Sequence, residues 1–81
     1  ASAGIRELDL HGCNLTQART AIDAALRRAG PGVYRLRLIH GYHRGTELRD
    51  MIRREYGNHP KVLRLELGLN PGVTDLVLRE F

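Results

Sequence analysis

The sequence predicts a small α/β domain, a two-layer sandwich whose elements run in the order βαβαββ. Three observations carry that expectation. Short apolar runs alternating with polar residues recur along the chain, which is the period of a half-buried strand. Two longer segments place apolar residues at helical spacing between the first, second and third of those runs. Gly, Pro or Asn stands at nearly every junction. Right-handed crossovers then set both helices on one face of the sheet and leave the other open.

Residues 5–11 alternate, with Ile5, Glu7, Asp9 and His11 on one face and Arg6, Leu8 and Leu10 on the other. Asn14 reads as a helix N-cap, and Gln17 three residues later completes a capping box. Ala18, Ile22, Ala25, Leu26 and Ala29 follow at helical spacing, and Gly30-Pro31 stops the helix. Val33 to His40 is a second strand, with Leu36 and Leu38 on one face and Arg35 and Arg37 on the other. Gly41 to Gly45 is a loop and Thr46 a cap for the next helix, whose stripe is Leu48, Met51, Ile52 and Tyr56 and whose end is Gly57. A third strand, Val62 to Leu67, sets Leu63, Leu65 and Leu67 against Arg64 and Glu66. Gly68 to Gly72 is a turn-rich loop, and Thr74 to Phe81 the last strand. Arg35, Arg37 and Arg64 mark the open face.

Length and composition bound the rest. The 81 residues hold one domain with a thin core of Leu, Ile, Val and Ala, since only four residues are aromatic. Residues 1–4 read as a cloning scar or the stub of a linker, and residues 5–81 as the domain, which implies a place in a longer, multidomain protein. No run approaches the ~20 apolar residues of a membrane span, which excludes membrane partners of that kind. The lone Cys13 makes no internal disulfide and points to a reducing cytoplasm. Its plain reading is a small loop residue, because a nucleophilic thiol needs an activating neighbour. The net charge of +4 comes almost wholly from arginine, with Lys61 the single lysine, and arginine binds phosphate in a planar, bidentate way.

Two histidine-glycine pairs draw attention to one place. Leu8-Asp9-Leu10-His11-Gly12 and Leu38-Ile39-His40-Gly41 each close an apolar strand just before a helix. If the two strands are parallel, their carboxyl ends share an edge, and open α/β sheets bind ligands there. His59, beside Pro60 in a turn, reads as structural or solvated, and Tyr34 and Tyr56 as core or boundary residues. Arg27, Arg28, Arg53 and Arg54 read most simply as solvated helix faces.

Those residues resemble a known family. Leu8-Asp9-Leu10-His11-Gly12 before a helix resembles the LDxH motif of Small MutS-related (Smr) domains. Ile39-His40-Gly41, a glycine-bearing loop and Leu48-Arg49 resemble that family's HGxG loop and following helix. Gly72-Val73-Thr74 with Leu76 and Leu78 is similar to its terminal G-A-T stretch and last strand. The likeness runs from Ile5 to Leu78. It implies a fold similar to the C-terminal domain of translation initiation factor 3, binding of DNA or RNA, and, as in many members, endonuclease activity, in some cases on stalled ribosomes. Residue by residue, Asp9 and His11 match the LDxH acid and histidine, and His40 and Gly41 the opening of HGxG. The chain departs from the pattern at His43, where a second glycine is usual, and Gly45 follows two residues later.

The chemistry expected of such a site is phosphodiester cleavage. Histidine suits general acid and base roles because its unperturbed pKa lies near neutrality. The catalytic candidates are Asp9, His11 and His40: His11 acts as base or acid oriented by Asp9, and His40 or His43 supplies the complementary proton. Gly41, Tyr42, His43, Arg44, Gly45 and Arg49 are the candidate nucleic-acid contacts, with Arg44 and Arg49 on the phosphate. Tyr42 either stacks on a base or covers the loop. No motif calls for a cofactor. On RNA the neighbouring 2′-hydroxyl serves as nucleophile without metal, whereas a water nucleophile calls for a divalent cation such as magnesium. A zinc cluster of Asp9, His11, His40 and His43 is the rival, without compact ligand spacing to support it. A catalytically silent module that binds nucleic acid or a ribosomal surface is the alternative function. An unrelated small-molecule or protein-interaction domain has little behind it.

Overall fold

A computed structural model describes residues 4–41, 45–67 and 70–80. The elements are β1 (Ile5–Asp9), α1 (Leu15–Arg28), β2 (Arg35–Ile39), α2 (Gly45–Tyr56), β3 (Arg64–Glu66) and β4 (Val73–Val77). They form one sheet in the order β1-β2-β4-β3. β1 and β2 are parallel, as a helical crossover requires, and β4 runs antiparallel to both β2 and β3. The expected βαβαββ sandwich is therefore the observed one. No helix among the described residues is long and apolar enough to cross a membrane.

Register sorts the side chains into two faces. Leu8 pairs with Leu38 and Leu36 with Leu76, so Leu8, Leu10, Leu36, Leu38, Thr74, Leu76 and Leu65 share one face. That face meets Ala18, Ile22 and Leu26 of α1 and Leu48, Met51, Ile52 and Tyr56 of α2 in a single core. Both helices therefore cover the same side of the sheet. The capping box forms as the sequence predicts: Asn14 Oδ1 accepts from the Gln17 amide at 2.7 Å, and Gln17 Oε1 accepts from the Asn14 amide at 3.0 Å. Losing that cap in Asn14→Ala should lower stability by about 1 kcal/mol. A thermal melt of an 81-residue domain would read this as a fall of roughly 4–8 °C.

The opposite face is charged. Arg35, Arg37 and Arg64 lie there as expected, but their charge is met by acids. Asp75 Oδ2 accepts from Arg35 at 2.8 Å, and its two oxygens accept from Arg37 at 3.1 and 3.2 Å. Glu66 pairs with Arg35 at 2.8 Å and with Arg64 at 2.9 Å, and Glu80 also binds Arg64. Asp75 sits opposite Arg37 and Glu66 opposite Asp75 in the register, which stacks the charges across three strands. The open face is an ion-pair lattice, not a bare basic surface.

Smaller differences have local causes. β3 has only three residues, so the expected alternation fails at its ends, and Leu63 and Leu67 are 58% and 55% exposed while Leu65 packs on the core. Thr46 lies inside α2, which begins at Gly45, so it does not cap that helix. Gly4, grouped by the sequence with a linker stub, is seated in the fold: its carbonyl accepts from the Tyr34 and Arg35 amides at 2.8 and 3.1 Å. His59 stacks on Tyr56 at 5.7 Å and its Nδ1 accepts from the Lys61 amide, a structural role. The Tyr56 hydroxyl donates to Asp23 at 2.8 Å.

Candidate functional site

The parallel pairing of β1 and β2 brings their carboxyl ends together. Asp9 stands opposite Ile39, and the Leu10 amide donates to the Ile39 carbonyl at 2.8 Å. Beyond that point both chains turn away through glycines with positive φ, Gly12 at +81° and Gly41 at +82°. A Cβ placed on Gly41 would lie 3.9 Å from that of His11, so the two histidine-glycine ends do converge. Gly72, just before β4, closes the edge: its carbonyl accepts from the His40 and Gly41 amides at 2.9 and 3.0 Å. A Cβ on Gly72 would stand 3.3 Å from Gly41 Cα, so a side chain there would press on the Gly41 backbone.

The two imidazoles nevertheless occupy opposite faces. His11 keeps company with Asp9 on the open side. Its Nδ1–H donates to Asp9 Oδ1 at 2.5 Å, and its backbone amide donates to the same oxygen at 3.1 Å. Both side chains are exposed, 74% for His11 and 57% for Asp9. The hydrogen bond to Asp9, and then its negative charge, raise the His11 pKa above the ordinary value. The same hydrogen bond holds the Asp9 carboxyl below its own. With Nδ1 engaged, Nε2 is the ring atom left to meet a ligand. In a proton-detected titration His11 should keep its proton to higher pH than an ordinary histidine. Replacing the carboxylate in Asp9→Asn should bring that midpoint down, and an unmoved midpoint would break the pairing.

His40 is buried at 3% exposure, on the face that carries Leu36 and Leu38. Its Nδ1–H donates to the Gly41 carbonyl at 3.1 Å, and Nε2 accepts from the Thr74 hydroxyl at 2.9 Å. Burial, with Arg49 and Arg53 nearby, pushes its pKa down despite the Gly41 carbonyl, so the ring is neutral. Both nitrogens are occupied. Thr74 and Gly72 are the site residues that sequence reasoning passed over, although both stand in the quoted Gly72-Val73-Thr74 stretch. The burial of His40 was also readable, since residues 36, 38 and 40 have one parity along a strand.

Of the candidate nucleic-acid contacts, Gly41 commits its amide to Gly72 and Gly45 opens α2. Arg49 is part-exposed, its Nε 3.6 Å from Asp50 and without a hydrogen bond among the described residues. Tyr42, His43 and Arg44 lie outside the described residues. Cys13 packs against the core near the end of the loop before α1. Among the described residues no three His, Cys, Asp or Glu side chains gather to hold a metal ion.

Comparison with known proteins agrees with this geometry. The Smr domain family profile matches residues 8–71. The crystal structure of the Smr domain of Thermus thermophilus MutS2 superposes with a TM-score of 0.82 at 32% identity, covering 93% of this chain and 99% of that one. No curated protein matches the sequence. A profile match over most of the chain, ending at the turn that seats Gly72 against Gly41, and a superposition that takes in nearly every element together show that this chain belongs to the Smr domain family.

Proposed function

We propose that this domain is a nucleic-acid endonuclease that cuts phosphodiester bonds through Asp9 and His11. The observation that carries the reading is the exposed pair itself: a 2.5 Å hydrogen bond that fixes the His11 tautomer and leaves Nε2 directed to solvent. A buried ion pair would be structural, whereas an imidazole held by a carboxylate at an open strand end is free to exchange a proton with a ligand. Asp9 orients the ring and stabilises the imidazolium formed when Nε2 takes a proton from the nucleophile. The neutral, enclosed His40 suits a positioning role in this scheme: it ties the Gly41 turn to Thr74 and so holds the second strand end against His11. The complementary proton then falls to His43, with Tyr42, Arg44 and Gly45 around the scissile phosphate and Arg49 on the strand beyond it.

The substrate in this reading is DNA or RNA in the cytoplasm, including RNA on ribosomes, and the domain is a module of a longer protein. Labelled RNA and DNA oligonucleotides, with analysis of product ends, test it. Transfer through a 2′-hydroxyl leaves a cyclic or 3′ phosphate and a 5′-hydroxyl on RNA without added metal. 5′-phosphate ends that appear only with magnesium would assign the nucleophile to a metal-activated water. Binding without any cutting would favour the silent module. One observation favours that second reading: among the described residues at this edge, His11 is the one imidazole that meets solvent.

A further inference from the structure

Arg53 is exposed on α2, as the sequence predicts, and it also borders a cavity. Arg49 and Arg53 stand one turn apart on α2 while Leu48, Met51 and Ile52 enter the core. Arg49 and Arg53 line one side of a cavity of about 310 Å³. The other walls are the Asn70-Pro71 turn, Val73 and Thr74 of β4, and Leu67. No acid among the described residues lines the cavity. Arg49 pairs with Asp50 at 3.6 Å, yet its Nε is buried and makes no hydrogen bond among the described residues. Arg53 forms no salt bridge among the described residues, unlike the open-face arginines. Two cations beside an apolar wall suit a charged ligand with an apolar body.

The position of the cavity identifies the ligand. Thr74 lines it and also holds His40; His40 and Gly41 bond to Gly72; and a Cβ on Gly41 would lie 3.9 Å from that of His11. The cavity and the Asp9–His11 pair thus lie on one sheet edge, separated by the end of β2. The cavity opens on the helix-covered side of that edge and the Asp9–His11 pair on the open side. We infer that the Arg49–Arg53 cavity is a second phosphate subsite for the polynucleotide, on a strand that rounds the edge from the bond facing His11, with Leu67 and Pro71 against the attached sugar or base. The inference rests on the proposed function only in taking a nucleic-acid strand as the ligand. It also accounts for Leu67, which is left uncovered by the short β3.

Binding is measured in the His11→Ala protein, so that the result does not depend on cutting. A labelled single-stranded oligonucleotide is titrated across a salt series with and without Arg53→Gln. The substitution should weaken binding about tenfold at low salt, as expected for a lost charge-assisted contact. It should also flatten the slope of log affinity against log salt by ~0.7, the value for one phosphate on a single strand. Arg27→Gln, on α1 and away from the cavity, should retain the parent slope. A single uncharged methylphosphonate, moved along the oligonucleotide, should weaken binding at more than one position in the parent, and at one of them that effect should be lost in Arg53→Gln.

An unchanged slope and affinity in Arg53→Gln would overturn the subsite even if the wild-type protein cuts. Methylphosphonate effects that all persist in Arg53→Gln would do the same. Displacement of the oligonucleotide by inorganic phosphate at matched ionic strength would make the cavity a general anion site and overturn the strand assignment. The expected signature in a protein whose wild type never cuts would support the subsite while removing the endonuclease reading.

Discussion

His11→Ala should reduce strand cleavage by about 10²–10⁴-fold, the usual contribution of a positioned acid or base. The loss should appear in the turnover rate far more than in affinity, because the ring acts on a proton in the transition state and carries little of the binding charge. Asp9→Asn should lose less than His11→Ala, since the ring remains but is no longer held in its tautomer by a carboxylate. Neither substitution should disturb folding, as both side chains are largely in solvent. Equal cutting by wild type and His11→Ala would trace the activity to a contaminant.

The second large effect concerns stability. Asp75 is 6% exposed and accepts hydrogen bonds from both Arg35 and Arg37. Asp75→Ala strands two guanidinium groups beside each other, and removing one member of a buried pair typically costs 3–5 kcal/mol. Arg37 is 37% exposed and can regain water, so the low end applies, about 3 kcal/mol. For a domain of this size that is a fall of roughly 12–24 °C in melting temperature. Arg64→Ala, which removes an exposed partner of Glu66 and Glu80, should change stability by less than about 1 kcal/mol. Comparable losses for the two variants would mean that the lattice does not converge on Asp75.

How far the chain could be read in advance depended on whether the deciding contact was local. The start of α1 was legible because Asn14 and Gln17 satisfy each other within four residues, and its end because Gly30-Pro31 cannot continue a helix. The shared strand ends were legible because a helical crossover makes β1 and β2 parallel. The arginines of the open face were placed correctly by alternation, but their partners were not. Asp75 meets Arg37 only because β4 inserts between β2 and β3, a pairing no local pattern encodes. β3 was overread, since three paired residues cannot impose alternation on Leu63 and Leu67. His40 was singled out as a catalytic candidate from its glycine partner at the edge, while its burial, legible in its parity with Leu36 and Leu38, went unread.

If Asp9 and His11 act as one acid–base pair, the pH dependence of cleavage carries its signature. Asp9 raises the His11 pKa, so the imidazolium persists to higher pH. If His11 is the base, the rising limb of the profile is displaced upward; if it is the acid, the falling limb is. In either role, Asp9→Asn should move that limb to lower pH while some cleavage remains. A profile with the same limb in wild type and Asp9→Asn would contradict the account.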